Sequence, residues 1–368
     1  MKYIFILFFL TVPFLGHASD VERTYKAVVT EVVSSEIRTL PGLGMTTPHQ
    51  TIEVQFLNGD MKGKSVLIEN DYVQLQKGDT AYILQVVRSE DGKELYSVRD
   101  PYRIDILVYL TVAFLILVVI FGGMQGVRGI VSLLGSLILI GYILLPGILK
   151  GFSPILLTTG VSSLIIIVGS YITHGFNRTT SAAVISMIVT VIFTGALATV
   201  MVHATQLTGF ESEESVYLNQ ATSGKIDFTG LLLGGIMIGL LGVLYDVAIG
   251  QAISVEELYT INPKASKRYV YARVLRMGRE HIGALINTLA IAYVGVSLPL
   301  LLLFSITTLD PLVVINKEIF SAEIVRTLVG SIGLVLAVPI TTLISVFMVR
   351  ANPKHSQEHH HHHHHGIL

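Results

Sequence analysis

Residues 228–253 read "FTGLLLGGIMIGLLGVLYDVAIGQAI", an apolar run whose one carboxylate is Asp246. A helix rises about 1.5 Å per residue, so about 20 such residues cross the hydrocarbon core of a bilayer. A carboxylate near mid-membrane costs about 2.5–3.5 kcal/mol on insertion scales, so its retention calls for a partner, water or a task. The run also carries a pattern. Gly235, Gly239, Gly242, Asp246 and Gly250 follow one another at steps of three or four and share one helical face. Small residues let a second helix approach closely, which predicts that Asp246 points into a helix contact or a narrow cavity.

The remainder of the chain supports a membrane reading. Of 368 residues, 51% are hydrophobic and 14% charged, and mean hydropathy is +0.66, whereas soluble domains carry about 25% charged residues. Seven spans are predicted, at 104–124, 128–149, 153–173, 180–204, 228–253, 280–304 and 324–348. Lys264, Lys267, Arg268, Arg273, Arg276 and Arg279 crowd one connection, and Arg128, Arg178, Arg350 and Lys354 fall on the same side. The opposite loop, 206–227, holds Glu211, Glu213, Glu214 and Asp227. The basic side is expected to be cytoplasmic. Asn262 is the candidate N-cap, with Pro263 in the first turn, of a short basic helix leading into the sixth span. Pro146, Pro299 and Pro339 are candidate kinks.

Residues 1–18 have the make-up of a secretory signal cut after Ala18, with an uncleaved anchor as the alternative. Residues 19–100 hold five short β-rich runs separated by "NGD", "KGD" and "EDG", which predicts a small extracytoplasmic barrel of OB or SH3 type. The stretch "LPGLGMTTPHQ" reads as a long loop and the part of this domain expected to move. The membrane region is expected over 101–350 and a cytoplasmic tail over 351–368, where His359 to His365 and the following Gly-Ile-Leu belong to a purification tag.

Several chemistries are excluded. The absence of cysteine removes disulfides, thiolate catalysis and cysteine metal sites. The remaining histidines lack metal-ligand spacing, "REHIG" lacks the second histidine of a zinc protease, and "LYD" lacks the second half of an intramembrane aspartyl protease. No nucleotide-binding loop occurs, and a net charge of −1 gives no field for nucleic acid. Neither enzymatic activity nor a cofactor is expected. "NRT" at 177–179 is an accidental sequon beside a topological group, His174 and Arg178, and His203 with Gln206 could face a vestibule.

The blocks "GLLGVLYDVAIGQAISVEEL" and "NPKASKRYVYARVLRMGREHIGALINTLAIAYVGVSLPLLLLF" resemble the YibE/F-like family of bacterial multi-pass membrane proteins. Their D-V-A, G-R-[DE]-x-I-G and N-T-L-x-[IL]-A-Y elements fall on Asp246–Ala248, Gly278–Gly283 and Asn287–Tyr293. Glu280 stands where Asp is common, which keeps the carboxylate. The resemblance extends to "RGIVSLLGSLILIGYILLPGILKGFSP" and the β-rich preface. It implies an integral membrane protein of transport type.

From the residues themselves, Asp246, Glu280, Asn287, His281 and Thr288 form the candidate ion path, with Glu280 alternatively paired to Arg276 or Arg279. Gly235, Gly239, Gly242, Gly250 and Gly283 are the candidate packing positions. The expected function is a permease for a small solute or ion in the bacterial cytoplasmic membrane, proton-coupled through Asp246. The alternative is an envelope accessory factor whose β-domain binds another protein. The expected partners are the bilayer, an unidentified solute or ion, and either a second copy or an envelope protein.

Overall fold

The computed structural model describes residues 21–39, 46–88 and 93–349. The signal segment and the tagged tail lie outside them. The chain divides into two compact units, one ending at Ile120 and one beginning at Phe121.

In the first unit all five β-rich runs are strands: β1 Val21–Thr39, β2 Thr46–Phe56, β3 Ser65–Asn70, β4 Thr80–Val87 and β5 Glu94–Pro101. They form one antiparallel sheet in the order β3-β2-β1-β4-β5. The 19-residue β1 serves both halves, pairing β4 through Val21–Val28 and β2 through Ala27–Thr39. Two register shifts, at Val29/Glu31 and Val32/Ser34, bend it and curl the sheet. Its edges β3 and β5 come into contact without forming a ladder. Alternate residues Tyr25, Ala27, Val29, Ile52, Val54, Phe56, Ile68 and Ile83 fill the interior, as period-two alternation requires.

The expected long loop is shorter than the sequence suggested, because β2 already begins at Thr46. His49 bonds Asp71, and the buried Gln50 amide accepts from Leu75 N at 2.7 Å and donates to Leu75 O at 3.0 Å. These bonds hold the "PHQ" end as strand. What remains of that loop, residues 40–45, and the "EDG" turn lie outside the described residues.

The helices are α1 Ile104–Leu139, α2 Leu145–Leu149, α3 Pro154–His174, α4 Arg178–Ala204, α5 Glu213–Ala221, α6 Phe228–Ile261, α7 Lys267–Val296, α8 Leu298–Ser305, α9 Pro311–Ile315 and α10 Glu318–Met348. A π-helical turn, Ile140–Leu144, joins α1 to α2. Among the described residues five stretches are long and apolar enough to cross a membrane, and six if the bent pair α7–α8 is one span. The first of them, Ile104–Leu149, is 46 residues long and departs from helical backbone at Gly123 (φ 53°, ψ −140°).

Helices α3, α4, α6 and α10 form the packed centre of the second unit. Ile166, Met187, Val191, Met237, Leu240, Leu244, Leu334 and Val338 meet there. Close approach is made at glycines: a Cβ on Gly333 would lie 2.5 Å from Thr194 Oγ1, and one on Gly234 would lie 2.7 Å from Thr158 Oγ1.

Two sequence expectations are corrected around α7. Asn262 caps the C-terminus of α6, whereas Ser266 caps α7 by accepting from Tyr269 N at 3.3 Å. The basic helix and the sixth span are one helix over Lys267–Val296, since no breaker separates them. The break comes later, at Ser297 and Pro299, where α8 turns away by 66°. Pro339, by contrast, lies within a continuous α10.

Candidate functional site

Helix α6 is the element that positions the site. Asp227 caps its start, accepting from Gly230 N at 2.9 Å. Its Leu, Met and Val residues turn into the core, which leaves the glycine face of the helix on the other side. That face is not a packing face. A Cβ added at Gly235, Gly242 or Gly250 would meet no atom within 4 Å, and the same holds for Gly283 on α7. At Gly239 it would approach one group, the Tyr293 hydroxyl, at 2.8 Å. The glycine face of α6 is therefore open, with Gly235, Gly239, Gly242 and Gly250 all exposed and α7 beside it.

Asp246 lies on this open face and is itself exposed. With Gly250, Gln251, Ser254, Met277, His281, Leu285 and Val338 it lines a cavity of about 300 Å³. Its carboxylate forms no hydrogen bond or ion pair with the described residues. The cavity wall is set by Gly278, whose missing side chain admits Gln251 and Val338; a Cβ there would stand 2.7 Å from Gln251 Nε2. Gln251 is buried, and its Oε1 accepts from Thr342 Oγ1 at 3.0 Å. Ser254 Oγ bonds back to Gly250 O at 2.9 Å.

Of the five residues expected on the path, the structure brings together Asp246 and His281. All five are exposed, and Glu280, Asn287 and Thr288 on α7 do not line this cavity. Glu280 forms no ion pair with Arg276 or Arg279 among the described residues, and Thr288 Oγ1 donates to Ala284 O at 2.9 Å. Gln251 and Ser254 went unmarked in the sequence, although both stand on α6 five and eight residues after Asp246. Elsewhere, His203 bonds Thr199 O within its own helix, and Asn177 caps α4 by accepting from Thr180 N at 2.7 Å.

At the N-terminal end of α6 a second cavity, about 400 Å³, is lined by Thr158, Glu211, Glu214, Gly235, Ile238 and Arg326 among others. Arg326 donates to Glu211 Oε1 at 2.6 Å and lies 3.5 Å from Glu323. The Glu214 carboxyl, outside the spans, is held below its usual range by its own backbone N–H and by the Ser212 hydroxyl. A third cavity, about 500 Å³ and largely apolar, opens between α7–α8 and α10, with Tyr293, Ser297, Glu323 and Thr327 as its polar members. Sequence reading passed over Arg326 and Glu323. An arginine three residues into a predicted span was the available signal.

Among the described residues no group of three His, Asp or Glu side chains is placed to hold a metal ion. Residues 110–351 match the family described as YibE/F-like protein. No curated protein and no solved structure matches the chain.

Proposed function

The chain belongs to the YibE/F-like family, and from that premise we propose that it is a membrane permease for a small solute or ion whose path follows the glycine face of α6 past Asp246. The observation that carries this reading is a carboxylate without a partner among the described residues, lining a cavity beside His281, Gln251 and Ser254. The row of exposed small residues continues from there past Gly242 and the Tyr293 hydroxyl at Gly239 to Gly235, which lines the second cavity. One row of small residues thus runs between the two polar cavities. Asp246 takes and releases the coupling proton, and His281 passes it toward the basic end of α7.

The same proposal covers topology. Forty-six residues of helix would reach about 69 Å, more than twice the ~30 Å hydrocarbon core, and Gly123 breaks them near the middle. Two spans there, with α3, α4, α6, α7–α8 and α10, make seven. The positive-inside rule then puts the basic start of α7 in the cytoplasm and the β-sheet domain outside. A sheet ordered β3-β2-β1-β4-β5 whose edges meet is the strand arrangement of an OB barrel, and we assign it so.

The test is Gly242→Phe. A Cβ at Gly242 has open space, so the fold should tolerate a ring that covers the glycine face. In proteoliposomes carrying an imposed pH gradient, dissipation should fall to the protein-free rate. Dissipation equal to the unsubstituted protein would remove the glycine face as the path.

A further inference from the structure

Strand β1 runs on past the rest of its sheet. Its pairing with β4 ends at Val28, and Val29 makes the last backbone bonds on that side, accepting from Gly78 N at 2.9 Å and donating to Asp79 O at 2.8 Å. Over residues 34–39 one edge of β1 bonds β2, while the other meets no backbone partner among the described residues. The β2 side of this arm is tied down, since Thr47 Oγ1 donates to Asp71 O at 2.8 Å and His49 bonds Asp71. The β1 side is open. A row of unpaired N–H and C=O groups invites another strand, and edges are commonly blunted by bulges, proline or lysine. Here both register shifts come before Ser34, and "SSEIRT" holds neither proline nor lysine. Residues 35–39 are all exposed, and Ile37 is 78% exposed.

The side chains on this edge say which strand fits it. When two copies of one strand pair antiparallel about a two-fold axis, one residue faces itself and its neighbours face each other. Centred on Ile37, the pairing sets Ile37 against Ile37, Glu36 of each copy against Arg38 of the other, and Ser35 against Thr39. Every pair is then apolar with apolar, acid with base, or hydroxyl with hydroxyl, the kinds of cross-strand pair that stabilise a sheet. Centred one residue earlier, the same edge would oppose two Glu36 carboxylates, so charge selects the register. Within one chain Arg38 Nε lies 3.9 Å from Glu36 Oε2, and the two side chains are 59% and 67% exposed, which leaves both open to a second partner.

We propose that this edge joins two copies of the chain, β1 to β1, with the two-fold axis at Ile37 and the two sheets continuous across it.

The chain has no cysteine, so Ile37→Cys in the full chain, reconstituted in proteoliposomes, supplies a single thiol at the axis. Directly opposed residues of an antiparallel pair lie about 4.5–5.5 Å apart at Cα, within disulfide range. Under mild copper–phenanthroline oxidation Ile37→Cys should form a covalent dimer at least about tenfold faster than Leu67→Cys, because pairing holds the two thiols at high effective concentration. Leu67 is the reference for random collision, on β3 and 60% exposed. Adding Glu36→Arg turns both charge pairs repulsive and should slow cross-linking by about tenfold. Adding Arg38→Glu as well restores opposite charges across the axis and should return the rate. Both side chains face solvent, so neither change should disturb the fold of one copy. Cross-linking does not depend on transport, so its outcome is separate from that of the permease reading. A rate at Ile37→Cys no higher than at Leu67→Cys, indifference to Glu36→Arg, or a charge-swapped chain as slow as the single reversal would each overturn the proposal.

Discussion

Asp246→Asn is expected to slow dissipation of a pH gradient across proteoliposomes by about 100-fold, the scale on which a positioned proton-transfer group acts, while leaving thermal stability unchanged or slightly higher. The reasoning begins with what the carboxylate lacks. A structural acid within a span is paired, and removing it leaves its partner buried and uncompensated, so the protein loses stability. Asp246 has no such partner among the described residues and lines a cavity instead. An amide of the same shape removes the charge and the proton site together and breaks no contact. Asp246→Glu should retain part of the flux, since the carboxylate remains within a cavity of about 300 Å³. The opposite pattern, with stability lost and flux kept, would mark the residue as architectural.

The second large effect concerns the fold. Gly209→Ala is expected to destabilise the second unit by about 2–5 kcal/mol, read as a fall in melting temperature in detergent, with Gly235→Ala as the neutral control. Gly209 has a φ of +86°, where an L-residue is strained, and a Cβ would lie 2.2 Å from Phe228 O and 2.5 Å from Phe228 C. Those are backbone atoms at the start of α6, and they cannot swing aside. The loop is pinned as well: Glu318 Oε1 accepts from Thr208 N and from Gly209 N, each at 2.7 Å. The same loop delivers Glu211 to Arg326, so this substitution should also loosen the second cavity. Gly235, by contrast, faces open space.

These two glycines show where sequence reading ends. The helical wheel grouped Gly235, Gly239, Gly242, Asp246 and Gly250 on one face, and periodicity sufficed for that. It could not say what covers the face. A notch becomes a helix contact only where a neighbour protrudes into it, as at Gly234 beneath Thr158 and Gly333 beneath Thr194. Both lie on the apolar side of their helices, where a glycine among leucines draws no attention. That Asp246 and His281 line one cavity was accessible because α6 and α7 are neighbours in the chain. The Glu211–Arg326 pair, 115 residues apart, was not. In the β-domain the strands announced themselves through alternation, whereas the early start of β2 depends on bonds from Gln50 and His49 to residues more than 20 positions away. The start of α7 was misplaced because Asn262 and Ser266 are both good caps; Ser266 caps that helix, and Asn262 ends the helix before it.

The most direct test of water reaching Asp246 along the glycine face uses the absence of cysteine from the chain. A single Gly242→Cys substitution, in protein reconstituted into a bilayer, would be exposed to a hydrophilic trimethylammonium methanethiosulfonate reagent. Ile192→Cys, on the exposed side of α4 at 55% accessibility, serves as the lipid-facing reference and should react only with a membrane-soluble maleimide. The account predicts rapid labelling of Gly242→Cys by the hydrophilic reagent. Reactivity confined to the maleimide, as at the reference position, would mean that the glycine face looks onto acyl chains, and the permease reading would be contradicted.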